Sequence, residues 1–390
     1  YPLTDGTGSV TVATTRPETM LGDTAVAVHP DDARYTAMVG KTVRLPLIGR
    51  DVPIIADHRI DREFGTGAVK VTPAHDPLDY DLGQTHNLPM ISVIGADGNM
   101  LPDAGAGVAG MSVEQARHDI IQQLTGAGAL EKEEDYIHAV ATCSRSHTVI
   151  EPILSLQWFL KTKPLAEKAL EAVRSGKVKI VPVRYEKVYF HWLENIRDWN
   201  ISRQIWWGHR LPVWYRVKNG KEQVRVSLKN PGAGWHQDED TLDTWFSSGL
   251  WTFSTLGWPK KTKDLARFHP TSVMETGWDI LFFWVARMMM FSLYFMKEIP
   301  FSTIYLHGLV LDRDGKKMSK SKGTGIDPLP TADKYGMDAV RMSLIIGNAP
   351  GQDFRLYEEK IEGYRNFANK LWNVSRFILA QPETKPAEYS

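Results

Sequence analysis

Residues 303–327 read TIYLHGLVLDRDGKKMSKSKGTGID, and the fold turns on them. Thr303 to Leu311 alternates like a buried strand, and Thr331 to Ile346 carries a helical pattern. Between them four lysines (Lys316, Lys317, Lys320, Lys322) and two serines sit between Gly315 and Gly323. A loop hinged by glycines that presents ammonium groups and hydroxyls suits a polyphosphate, with lysine acting as a mobile point charge. A solvated surface loop is the bland alternative for any lysine run. Strand, basic loop and helix in that order suggest the end of a nucleotide-binding α/β sheet, with an all-helical region starting behind it.

Outward from this loop, the 390 residues are enough for two to three domains. Forty-six basic residues balance 46 acidic ones, so a polyanion must meet a local patch and not a global field. One cysteine, Cys143, excludes an internal disulfide and a cysteine-rich zinc knuckle, and it favours a reducing cytoplasm. The start at Tyr1-Pro2, running at once into a strand-like pattern, reads as a piece of a longer chain. Of 13 tryptophans, 11 lie from Trp192 to Trp284, which calls for a deep core or a lined pocket. Ile280 to Met296 is apolar, but it is short for a membrane span and contains Arg287, so a buried helix and no membrane partner are expected. Val10, Val12, Val26 and Val28 alternate as strands, and so does Ala68 to Thr72. Gly95 to Gly110, with five glycines, reads as a surface loop. These patterns give an α+β domain at 1–137, a connector at 138–189 with a helix from Pro164 and a short strand from Val178 to Val183, an α/β domain at 190–347, and a helical start at 348–390.

Lys317-Met318-Ser319-Lys320-Ser321, with its strand before and Gly-x-Gly-Ile-Asp-Pro after, resembles the KMSKS signature of class I aminoacyl-tRNA synthetases. The resemblance implies a loop that closes on ATP and Mg²⁺ while an amino-acid carboxylate attacks the α-phosphorus. Its lysines, Lys320 first and then Lys317, would stabilise departing pyrophosphate. Gly277-Trp278-Asp279-Ile280 and Asp243 to Ser248 resemble the active-site segments of the isoleucyl, leucyl and valyl branch, and Trp206-Trp207-Gly208-His209 with Ile280 after Asp279 resembles its valyl members. This implies that Trp245, Ile280 and Trp284 wall a small aliphatic pocket, and that Gly277 and Asp279 approach the adenylate. His307-Gly308 is compatible with an adenine contact, though a satisfied core histidine is the equal alternative. The HIGH signature that the branch carries ahead of this region is not in the sequence.

VTVATTRPET at 10–19 and FGTGAVKVTPAHDPLDYD at 64–81 each run a strand into a turn rich in hydroxyls and charge. Asp76 before Pro77 has the form of a helix cap, and Asp79 falls one turn later, placed to bind a cation. A metal reading of His75, Asp76, Asp79 and His86 lacks a zinc spacing, and no zinc is expected. These segments resemble the editing domain of the same branch, a β-barrel-like α+β insert in the Rossmann-type catalytic domain that hydrolyses mischarged aminoacyl-tRNA. An apolar pocket rejects an isostere with an added hydroxyl only about a hundredfold, a figure established on the valyl enzymes themselves and carried over here, so threonine needs a second sieve. By the resemblance, Thr14, Thr15, Arg16 and Thr19 hold the terminal adenosine and ester, Phe64 and Lys70 border the pocket, Thr72 pairs with the threonine hydroxyl, and Asp79 anchors the amino group. The partners implied are tRNA(Val), valine and ATP, for a monomer in the full-length protein. The alternatives are a trans-acting deacylase or tRNA-binding piece and, with little support, a membrane-associated or structural protein.

Overall fold

The computed structural model describes residues 1–143, 146–318 and 323–382, and the chain separates into two compact units, Tyr1–Leu156 and Gln157–Ser390. Residues 138–156 therefore fold with the first unit, and the helix and strand of the connector stretch with the second.

The first unit is built around β1 (Ala25–Val28), whose alternation of alanine and valine buries both faces of one strand. Val26 and Val28 enter one core with Val43, Val52 and Ile54, while Ala25 and Ala27 enter another with Ile60, Val71 and Leu82. β2 (Thr42–Arg44), β3 (Asp51–Ala56) and β4 (Ala68–Val71) complete a mixed sheet of order β2-β3-β1-β4. β3 runs parallel to β1 and β4 antiparallel to it, so the paired strands form an open sheet and not the barrel-like one expected. The Val10–Val12 segment makes no strand. Ser9 has an isolated bridge to Pro2, and Val10 exchanges backbone hydrogen bonds with Tyr1 and is buried in the core of Val26, Val28 and Val43.

Two helices follow. α1 (Pro77–His86) starts at Asp76, whose carboxylate accepts the Leu78 and Asp79 N–H groups, with Pro77 pre-set for the first turn. α2 (Val113–Gly126) begins with a reciprocal Ser112–Gln115 capping box and buries Ala116, Ile120 and Leu124, one turn apart on one face. The glycine-rich stretch before α2 is a surface loop pinned to the core at three points. Met100, Ala104 and Val108 are buried against the α2 face, and glycines of positive φ at 98, 105, 107 and 110 let so short a segment turn repeatedly.

The second unit centres on a three-stranded parallel sheet in which Phe301–His307 lies between Thr271–Gly277 and Lys179–Val181. The strand expected in the connector thus becomes a member of this sheet. Helices Lys163–Arg174, Arg184–Glu194 and Ala286–Phe295 pack their apolar residues against it. The apolar run that raised a membrane span, Trp278–Phe295, is long and apolar enough to cross one by length and composition, and half of it is buried in this core. The helical pattern at 331–346 is two helices, Pro328–Tyr335 and Met337–Ile345, parted by Gly336 at φ +87°. Glu358–Leu379 forms one long helix. The tryptophans divide. Trp199 is buried with Phe253 and Phe291, whereas Trp206 and Trp207 are fully exposed, against the expectation of a shared core or pocket.

Candidate functional site

In the first unit, β4 places Lys70 and Thr72 on one face, two residues apart, and both are buried. The Lys70 ammonium donates to the hydroxyls of Thr19 and Thr72, each at 2.7 Å, and approaches Asp23 Oδ1 at 3.5 Å. Asp23, which no motif singled out, is wholly buried and also accepts from the hydroxyls of Thr72 at 2.6 Å and Tyr1 at 2.7 Å. Lys70 is therefore held inside a network and is not a free border residue.

Asp79 stands in the first turn of α1, 6% exposed, and its Oδ2 accepts the Thr72 N–H at 2.8 Å. Its Oδ1 makes no hydrogen bond among the described residues. Burial lifts its pKa to about 6, against the lowering by the Thr72 N–H and Lys70. The result is a half-used carboxylate at a helix N-terminus that ionises around pH 6, chemically suited to a substrate ammonium group. Asp76 is spent as the cap of α1.

Arg16 is fixed by the carbonyl of His75 at 3.0 Å and by the carboxylates of Glu18 and Glu151. Glu18 is itself buried and clamped by both arms of Arg117 at 2.9 Å. Thr14 accepts the Arg16 N–H at 2.9 Å, and Thr14 and Thr15 are exposed on the same turn. Phe64 is half exposed, edge-on to Tyr136 at 6.3 Å.

The four residues of the metal reading do not converge. His75 uses Nδ1 on the Pro152 carbonyl at 3.0 Å and Nε2 to accept Val93 N–H at 2.8 Å, which fixes the neutral tautomer, and burial lowers its pKa. His86 Nε2 turns instead to Asp57 at 2.9 Å. Elsewhere His29, Asp31 and His58 bring ligand atoms within 4.8 Å of one another. His29 Nδ1 already accepts the Asp31 N–H at 3.1 Å, so no metal is assigned there.

In the second unit, strand register gathers the candidates. Gly277 pairs with His307, so Gly277, Asp279, His307 and Gly308 all lie at or just beyond the C-terminal edge of the parallel sheet, where open α/β sheets bind ligands. A Cβ on Gly308 would lie 1.8 Å from the Gln352 carbonyl, so only glycine admits this approach. Asp353, another residue the motifs did not flag, accepts from Trp278 Nε1 and Leu309 N, both at 2.7 Å, and ties the turn after one strand to the exit of the next. His307 is exposed, with Nδ1 facing the Gly308 carbonyl at 2.8 Å and Nε2 3.3 Å from Glu275, so the core-histidine alternative does not hold.

After Gly277 the chain makes a tight turn, Trp278–Ile280, a π turn over Leu281–Val285, and then the helix. The wide turn swings Phe283 and Trp284 toward the short helix Thr244–Gly249. Trp245 stacks on Phe283 at 5.9 Å, and Trp284 Nε1 donates to the Ser248 carbonyl at 3.0 Å. Asp243 caps that short helix and also accepts from Trp199 Nε1 at 2.9 Å and Arg203 at 2.7 Å. Ile280 is half-buried at the same turn. From the lysine loop, Lys317 reaches Asp279 Oδ2 at 2.8 Å, and Met318 packs against the buried group around Tyr335 and Ile361. Ser319, Lys320 and Ser321 lie outside the described residues.

The family model of class I tRNA synthetases (I, L, M and V) matches residues 19–234 and 216–357. Valine-tRNA ligase of Dehalococcoides mccartyi is 57% identical over 383 residues, 97% of this chain and 43% of that protein. The same-named proteins of Carboxydothermus hydrogenoformans and Clostridium tetani are 56% and 54% identical, over 98% and 97% of this chain and 44% of theirs. The chain thus spans less than half the length of these relatives. Among solved structures, the LeuRS-tRNA-LeuAMS ternary complex of Agrobacterium radiobacter K84 overlays with a TM-score of 0.40 at 17% identity, covering 99% of this chain and 49% of that one. With a family model matched across most of its length and relatives more than 50% identical over nearly all of it, the chain belongs to the class I tRNA synthetases.

Proposed function

We propose that the chain is the part of a valine-tRNA ligase that edits mischarged threonyl-tRNA(Val) and carries the loop for ATP-dependent activation of valine. The supporting observation is that the residues of two distinct chemistries collect in two separately folded units: Lys70, Thr72 and Asp79 in the first, and Gly277, Asp279, His307 and Lys317 in the second.

In the editing reaction, ionised Asp79 holds the protonated α-amino group of the ester, and Thr14, Thr15 and Arg16 meet the terminal adenosine. Water adds to the ester carbonyl, and the ribose oxygen leaves and takes up a proton. His75, neutral with both nitrogens engaged, is not the base, and substrate-assisted attack fits the site. In the activation reaction the valine carboxylate attacks the α-phosphorus of ATP, and pyrophosphate leaves toward the lysine loop. Mg²⁺ enters on the phosphates as part of that substrate. Trp245, Ile280 and Trp284 confine the side chain, and Lys317 must exchange its bond to Asp279 for phosphate.

The test is hydrolysis of threonyl-tRNA(Val) by the purified chain. Asp79→Ala is expected to lower the rate by about a hundredfold, the scale of a lost charge-assisted hydrogen bond. An unchanged rate removes the assignment. With the remainder of the catalytic sheet restored, valine-dependent ATP-pyrophosphate exchange should appear and fall in Lys320→Ala, whereas exchange with isoleucine and not valine would overturn the choice of branch.

A further inference from the structure

Asp23 has no exposure, and nothing in the proposed chemistry uses it. A carboxylate in an apolar interior is costly unless its oxygens are occupied. Here Oδ1 takes the Thr72 hydroxyl at 2.6 Å and faces Lys70 at 3.5 Å, and Oδ2 takes the Tyr1 hydroxyl at 2.7 Å.

The consequence is directional. A threonine hydroxyl has one proton and two lone pairs. The Thr72 proton is committed to Asp23, and the Thr19 proton to the Arg16 carbonyl at 3.0 Å. Each oxygen also accepts from Lys70, whose three N–H groups are divided among Thr19, Thr72 and Asp23. What remains for a ligand is one lone pair on each hydroxyl, an acceptor set with no proton to give. The Thr72 N–H, meanwhile, binds Asp79, so the same residue links this network to the carboxylate that meets the amino group.

We propose that Asp23 is a positioning residue that sets the hydrogen-bond polarity of the editing pocket, holding Thr72, Thr19 and Lys70 so that the pocket accepts a hydrogen bond from the side-chain hydroxyl of a threonyl ester. Valine has no proton to offer there, so the selectivity of hydrolysis resides in this orientation. The proposal rests on reading the first unit as a deacylase.

The experiment measures kcat/KM for threonyl- and valyl-tRNA(Val) with the 390-residue chain and its Asp23→Asn, Thr72→Val and double variants. An amide that keeps its oxygen toward Thr72 and Lys70 must place its NH2 where Oδ2 accepts from Tyr1, and it removes the negative charge that holds the Lys70 ammonium and the Thr72 hydroxyl in place. Asp23→Asn should therefore lower threonyl hydrolysis about tenfold and leave valyl hydrolysis nearly unchanged. Added to Thr72→Val, it should cost much less than it costs alone. Equal loss on both esters, full additivity, or unaltered selectivity overturns the role of Asp23. Tyr1→Phe, which removes only the Oδ2 bond, should shift selectivity in the same direction by a smaller factor. If Asp23→Asn does not fold, unaltered selectivity in Tyr1→Phe overturns the proposal by itself. Absence of threonyl hydrolysis by the unmutated chain instead overturns the deacylase reading beneath it.

Discussion

Asp79 concentrates the residue-scale physics of the first unit. Its pKa is raised from 3.8 to about 6, so the folded state holds its proton more tightly than the unfolded chain does. This group's contribution therefore lowers stability as pH rises from about 4 to 6, by up to about 3 kcal/mol at neutrality. Asp79→Asn, which keeps an acceptor for the Thr72 N–H, should be no less stable than the parent at pH 7, and its relative advantage should vanish near pH 4. Urea midpoints measured across that range check this. Activity runs the other way, because binding an ammonium group needs the ionised form. Threonyl-ester kcat/KM should fall below about pH 6, and the residual activity of Asp79→Asn should show no such acid limb. Asp79 was legible in the sequence because a helix cap followed by a second carboxylate is a local pattern. Asp23 and Asp353 were not, since what defines each is a partner more than 40 residues away: Lys70 and Thr72 for the first, Trp278 and Leu309 for the second.

At the scale of elements, turn chemistry carried the most information. Asp76-Pro77 announces the start of α1, and Asp76→Ala should lower the stability of the first unit by about 1 kcal/mol through the two N–H groups it frees, read as a shift in the urea midpoint. Gly308 is the opposite case. Its sequence context shows only a strand ending in His-Gly, whereas the structure sets a second backbone segment where a side chain would stand. Gly308→Ala should destabilise the second unit by about 1–3 kcal/mol or more, because the obstacle is main chain and cannot rotate away. Local pattern fell short in two places. Val10–Val12 alternates, but its pairing stops at the two backbone hydrogen bonds that Val10 exchanges with Tyr1, and 95–110, polar and glycine-rich, is nevertheless anchored on α2. Alternation reports which side chains are apolar, and pairing depends on what lies opposite.

Across the whole molecule, the division at Leu156 and Gln157 separates the two candidate sites. The segment 150–156 ends the first unit with Ile150, Ile153, Leu154 and Leu156 exposed. Residues 1–156 produced on their own should fold and retain threonyl-ester hydrolysis. Failure of that piece to fold would contradict the division. The order of the units along the chain was readable from composition and motifs, but the boundary was not, because 138–156 lacks any pattern of its own and is held by contacts such as Pro152 to His75 and Glu151 to Arg16.

The parallel sheet of the second unit ends, among the described residues, on the strand Thr271–Gly277. That strand pairs on one side only, and Val273 is half exposed. Unpaired N–H and C=O groups along seven residues are a template for another strand, and two molecules can supply it to each other. In a test tube this makes colloidal behaviour a property of sheet topology: light scattering should rise steeply with protein concentration, and a lysine at Val273 should suppress it while threonyl-ester hydrolysis in the other unit proceeds unchanged.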